Sequence, residues 1–282
     1  SIDNFTNSGS ISANATGNYA WAEGVYAGDI GNFFNNGTIG VYAESRFSNP
    51  DQNATITSSG VSVGYIDSIN SFTNEGIIRV TAFANGTTAN SVNIWASGAY
   101  LTTLGTFENK GTIEVDVKSL YNNSKIYACA LCVKDSSNAT INNTGDMVVK
   151  LDLPSSANMA NVNAAVFYIE NSTVTLSNYG NTWVEGNVPG KNLRTLYITG
   201  RSNVTLMDKF ALTFGAPGVN PETRPIYVGS NSTLNLNNAT LIARIDSRNL
   251  RYSTPYYLIE IENHGTVEGQ WGGLEKGYPN PD

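Results

Sequence analysis

The sequence predicts an all-β fold, a parallel β-helix (β-solenoid) of about eight to nine rungs, each made of three short strands. Three observations carry that prediction. A seven-residue segment recurs along the whole chain, period-two alternation follows each copy, and no stretch shows a helical period.

The segment first appears as Phe5-Thr-Asn-Ser-Gly-Ser-Ile11. It returns as Phe33-Phe-Asn-Asn-Gly-Thr-Ile39, Phe72-Thr-Asn-Glu-Gly-Ile-Ile78 and Phe107-Glu-Asn-Lys-Gly-Thr-Ile113. Looser copies begin at Ile141, Leu176, Leu206, Leu236 and Ile261, departing from the pattern at Thr182, Phe210 and Thr240. Successive anchors lie 28, 39, 35, 34, 35, 30, 30 and 25 residues apart. Two places past the anchor stand Asn7, Asn35, Asn74, Asn109, Asn143, Asn178, Asp208, Asn238 and Asn263. Four places past it, seven of the nine copies have Gly, a density that composition alone does not produce.

Each column has a physical reading. The anchor and the residue six places on are apolar and face inward. Beyond the Gly, Ile113, Val115 and Val117 share one face while Glu114 and Asp116 share the other, as in a half-buried strand. The Gly suits a corner needing positive φ. The Asn column has the parity of the anchor, so its amides point inward and hydrogen-bond along a ladder with the ~4.8 Å strand spacing. Such a ladder satisfies groups that would otherwise be buried unpaired.

A third strand precedes each new anchor, at residues 93–100, 125–133, 162–169, 195–199 and 256–261. Insertions at 44–54, 84–92, 118–125, 154–161, 186–193, 216–225 and 247–255 all fall between the long strand and this third strand, forming one ridge of loops. The domain reading is one solenoid over 1–270 and a tail over 271–282, a rod of about 40 Å.

Composition narrows the function classes. Of 282 residues only 14% are charged, while 37 Asn, 27 Thr and 26 Ser supply uncharged polarity. The net charge of −7, with no Lys/Arg cluster, argues against a nucleic-acid partner. No apolar run is long enough to span a membrane as a helix, and a chain opening at Ser1 fits a leader already removed. One histidine excludes most zinc, haem and His-based triad chemistry, so no cofactor or metal is expected.

The rungs resemble the β-solenoid surface proteins, including autotransporter passenger domains and the adhesin-like proteins of methanogenic archaea. The resemblance covers residues 5 to about 267 and implies an extracellular, cell-surface role, with sheath or surface-layer subunits singled out. A rod with no polar cap at either end suggests a fragment or subunits that pair end to end, so the expected partner is the protein itself.

Cys129 and Cys132 lie three apart in an alternating strand, which places them on opposite faces and too far apart to bridge each other. The outward one is a candidate for an inter-subunit disulfide. Twelve Asn-x-Ser/Thr sequons occur; Asn14, Asn53, Asn85 and Asn122 are the candidate glycosylation acceptors. Arg79, Glu114, Asp116, Lys150 and Glu185 read as an outward charge ladder, not as paired catalytic carboxylates, so no enzyme is expected. Trp21, Trp95 and Tyr100 offer aromatic surface suited to sugars or to simple packing. The expected function is an extracellular structural subunit assembling through strand edges into a sheath, layer or filament. The second reading is a monomeric adhesin holding glycans along the loop ridge.

Overall fold

The computed structural model describes residues 1–47, 53–63, 68–86, 91–188, 190, 192–219, 223–246, 248 and 253–277. The chain winds through about seven turns of a parallel β-solenoid with three sheets. Sheet 1 starts with Ile2–Asn7, Ile30–Asn35, Ile69–Asn74 and Leu104–Asn109 and continues through Ala139–Asn143 and Thr173–Asn178 to Asn203–Phe214 and beyond. Sheet 2 holds six strands, from Ser10–Thr16 to Thr182–Gly186. Sheet 3 holds eight, from Tyr19–Ala27 to Ile259–Ile261. One 3-10 turn, Met159–Asn161, is the sole helical element among the described residues.

Register explains the repeat. Phe5, Phe33, Phe72 and Phe107 are direct neighbours up sheet 1, followed by Ile141 and Leu176. Their rings stack with centroids 5.2, 4.6 and 5.0 Å apart, a spacing set by the strands themselves. In sheet 2, Ile39, Ile78 and Ile113 stack likewise, and all three are fully buried. The core is therefore a set of like-on-like columns.

The glycine column is explained differently from the sequence expectation. Gly37, Gly76, Gly111, Gly145 and Gly180 do not adopt the left-handed conformation. Instead, a Cβ on each would collide with the carbonyl of the glycine one turn below, as Gly111 would with Gly76. Close approach of successive backbones, not positive φ, demands glycine here. Among the described residues, six of the ten left-handed non-glycine positions sit at the other corner, where sheet 3 passes into sheet 1. Thr103, Asp135, Asn171, Arg201, Asn231 and His264 form that column, with φ between 49° and 72°. The loops occur where the sequence places them, between sheets 2 and 3. Residues 48–52, 87–90, 189, 191, 220–222, 247 and 249–252 of that ridge, with Pro50, Pro189 and Pro221, lie outside the described residues.

The later repeats depart from the expected columns. Between Leu176 and Asn178 the pairing to the next strand slips, so that Leu206 follows Leu176 but Phe210 follows Asn178. The extra residues bulge outward. Asp208, at φ 53°, is exposed and stands off the ladder. Asn238, at φ 54°, is also exposed. The last copy is not a rung repeat at all. Ile261 belongs to sheet 3, Asn263 is exposed beyond it, and Thr266–Glu268 is what continues sheet 1. In that segment the Asn and Gly belong to the corner between two sheets.

The close contact between turns gives a direct test. Gly111→Ala should destabilise the protein by about 1–3 kcal/mol through overpacking of backbone against backbone. Gly40, whose Cβ would meet nothing closer than 3.9 Å, should accept Ala within about 0.5 kcal/mol. Thermal melts of the two variants compare them directly.

Candidate functional site

The most extended constellation is the amide ladder. Asn7 Nδ2 donates to Asn35 Oδ1 at 2.8 Å, and Asn35 to Asn74 at 2.7 Å. Asn74 donates to Asn109 at 2.8 Å, Asn109 to Asn143 at 2.7 Å, and Asn143 to Asn178 at 2.8 Å. All six side chains are buried. From Asn35 to Asn143 each Nδ2 also reaches the glycine carbonyl two residues on in its own turn, at 3.2–3.4 Å. The ladder closes at Asn178, whose amide donates to Thr182 Oγ1 and the Ala211 carbonyl. Phe210, taking the next place, has nothing to offer an amide.

A second polar column escaped the sequence reading. Ser136, Ser172, Ser202 and Ser232 are buried at the corner entering sheet 1. Ser136 Oγ accepts from Leu104 N at 2.9 Å and Ser172 Oγ from Ser136 N at 3.0 Å. Ser202 Oγ accepts from Ser172 N, and Ser232 Oγ from Ser202 N. Each hydroxyl thus satisfies a corner amide of the turn below. The signal was present in Ser172-Thr-Val, Ser202-Asn-Val and Ser232-Thr-Leu, a serine two places before an inward residue.

Glu44 was also missed. It is buried at the outer edge of sheet 2, where its carboxylate accepts two bonds from Arg46 at 2.9 Å. Asn85 Nδ2, one turn on, donates to it at 2.7 Å, and the Tyr42 hydroxyl at 3.2 Å. The Arg46 guanidinium and the Asn85 amide together hold this carboxyl down to about 2. The same contact occupies the Asn85 amide, one of the candidate glycan acceptors. Asn14, Asn53 and Asn122 are exposed.

The cysteines overturn two sequence expectations together. Cys129 and Cys132 are bonded to each other, with Cα atoms 5.9 Å apart, and neither is free to link subunits. The strand Lys125–Lys134 does not alternate throughout: Ala130 and Leu131 both face the core. That break is a corner within sheet 3. It turns Cys129 and Cys132 toward the same outer side and within bonding reach. Neighbouring turns bend at the same place, where Gly24, Gly60 and Gly98 precede Ala130 in the stack. A Cβ on Gly24, Gly60 or Gly98 would strike Ile39, Ile78 or Ile113 across the core.

Outside, the bend makes a trough running along the rod. Its floor is formed by Ser59, Ser97, Cys129 and Ala165, outward-facing yet buried. Ser59 and Ser97 share a hydrogen bond of 2.7 Å. On one side stand Trp21, Trp95 and Tyr127, exposed by 68, 44 and 46%. Across the bend run Tyr100, Cys132, Tyr168, Tyr197 and Tyr227 in register, the last three rings stacked at 5.2 and 4.5 Å. Charge enters at the two ends. Glu23, bonded by Trp21 and Ser62, has its pKa raised mainly by burial. At the other end Arg194 pairs with Glu260 at 2.6 Å.

The outer face of sheet 2 carries Arg79 and Lys150 on either side of Glu114, at 2.9 and 2.7 Å, and Arg248 on Glu185 at 3.0 Å. Among the described residues no three His, Cys, Asp or Glu side chains gather as a metal site, and no helix is long and apolar enough to cross a membrane. No protein-family model matches the chain, and comparison with curated proteins and with solved structures yields no match.

Two measurements test these contacts. Asn109→Ala removes two ladder bonds and leaves one Asn74 donor and the Asn143 Oδ1 acceptor without their ladder partner, which should cost about 3 kcal/mol. Asn122→Ala, at an exposed site, should cost under about 0.5 kcal/mol; equal melting shifts would contradict the ladder's role. Glu44 is held below its ordinary value of 4.5. Its contribution is therefore complete above pH 4.5 and disappears as pH falls toward 2. Glu44→Gln should lower Tm at pH 7 and converge with the parent across that interval.

Proposed function

We propose that this chain is a non-catalytic structural rod of an extracellular, cell-surface assembly, built by stacking subunits through their strand edges. The supporting observation is the amide ladder with its two unequal ends. At Asn178 the ladder is closed by Thr182 and the Ala211 carbonyl. At Asn7 the side-chain oxygen takes the amide of Gly9, at 3.2 Å, in its own turn. Phe5, two residues earlier in the same strand, is covered by Phe33 on one side of its ring. A turn of the same kind placed against this end would continue the phenylalanine stack, the amide ladder and three parallel sheets together, while the strand Thr266–Glu268 at the far end of the described rod offers its edge but neither a stacking phenylalanine nor a ladder asparagine. Rigidity follows from the same columns, because bending the rod would separate every one of them at once.

Electron microscopy of the purified chain tests the reading. Filaments, hoops or sheets with a repeat that is a multiple of the rung spacing are expected; isolated rods at high concentration would refute it. Phe5→Lys, which puts a charge on the half-buried first ring, should abolish assembly and leave the melting temperature within a few degrees of the parent. If glycans decorate the assembled protein, Asn14, Asn53 and Asn122 are their accessible acceptors.

A further inference from the structure

We infer that the trough along the outside of sheet 3 binds an extended, uncharged polysaccharide lying parallel to the rod axis. The site differs from the loop ridge, which runs between sheets 2 and 3, and from the strand edges used in assembly. It stands or falls separately from the assembly reading.

Shape selects a thin ligand. Side chains on both sides of the bend converge closely enough for Cys129 and Cys132 to bond across it. The floor residues Ser59, Ser97 and Ala165 are more than nine-tenths buried. A second rod presents broad sheets and cannot enter such a concave corner, whereas a single polymer strand can. From Trp21 to Tyr227 the trough crosses seven strands of sheet 3, a run of about 29 Å at the strand spacing.

Chemistry selects a neutral sugar. A pyranose ring has an apolar C–H face and a rim of hydroxyls, so it needs aromatic surface beside hydroxyl partners. Trp21, Trp95 and Tyr127 supply exposed aromatic surface on one wall. Tyrosine hydroxyls line the other, and serine hydroxyls the floor. Trp21 and Trp95 are two rungs apart with Thr57 between them. That leaves about 10 Å between the indoles, with room beside each. Between the two aromatic rows the charged groups are Glu23 and Arg194, and both are engaged, Glu23 with Trp21 and Ser62 and Arg194 with Glu260; beyond the second row Lys134 pairs with Glu170 at 3.5 Å. Among the described residues of the central turns no cation stands between the two aromatic rows; Lys125 and Lys134 lie outside them, two residues beyond Tyr127 and Cys132 in the same strand. A repeating polymer on a repeating site gains affinity by summing weak contacts.

Affinity electrophoresis of the full chain tests this, in gels containing β-linked glucan, xylan, galactomannan or polygalacturonate. Tryptophan fluorescence with the same polymers and with a polyproline peptide is the second readout. Retardation by at least one neutral polysaccharide is expected, and Trp95→Ala and Tyr127→Ala should each weaken it about tenfold. Both side chains are exposed, so melting temperatures should hold; Trp21→Ala replaces either variant if its melt falls. Leu120→Ala, on the loop ridge and 48% exposed, should leave binding unchanged. The inference is overturned if no neutral polysaccharide retards the chain or only polygalacturonate or the peptide binds. It is equally overturned if the trough variants bind as the parent does, or if Leu120→Ala alone loses retention.

Discussion

Successive turns lie directly on one another, in register, at the separation of hydrogen-bonded parallel strands. Everything else in the molecule follows from that constraint. It brings residues some 35 positions apart in sequence into permanent contact, and it makes each position meet its own counterpart. Phenylalanine meets phenylalanine, isoleucine meets isoleucine, and amide meets amide. It also sets the tightest steric limit in the fold. Where Gly111 passes over Gly76, the backbones approach so closely that no side chain fits between them.

Buried polarity is handled by the same geometry. A primary amide carries both donors and an acceptor, so a column of identical asparagines satisfies itself with one bond up, one bond down and one to the local corner. Serine does this at the opposite corner by a different route: its hydroxyl accepts a backbone amide from the neighbouring turn. Both columns serve backbone corners, where the ladder of strand hydrogen bonds is interrupted. The amide column ends where register slips, because Phe210 arrives in the place that an amide would have filled.

The bend inside sheet 3 ties structure to surface chemistry. Two consecutive inward residues on each turn, such as Ala130 and Leu131, interrupt the alternation and fold the strand toward sheet 2. On the outside, residues that simple alternation would separate are drawn together. The Cys129–Cys132 bond and the aromatic trough are both products of that one feature. A straight sheet with the same side chains would present a flat face and two distant thiols.

Much of the architecture was legible in the residues themselves. The anchor, Asn and Gly columns of the first six copies identify the solenoid, its three-strand turn, the inward ladder from Asn7 to Asn178 and the side on which loops gather. These are properties of local spacing, repeated, and a parallel stack converts local spacing directly into contact. What lay beyond sequence reasoning depended on where that spacing fails. Asp208, Asn238 and Asn263 fit the motif but not the stack, because an outward bulge and a change of sheet moved them into solvent. The cysteines carry the parity of an unbroken strand in the sequence, yet only the bend decides which way their side chains turn. Glu44 and Asn85, or Ser59 and Ser97, meet across turns with no shared motif to announce them. Periodicity specifies which residues share a column; bends, bulges and corners, set by packing across the core, specify which columns face each other.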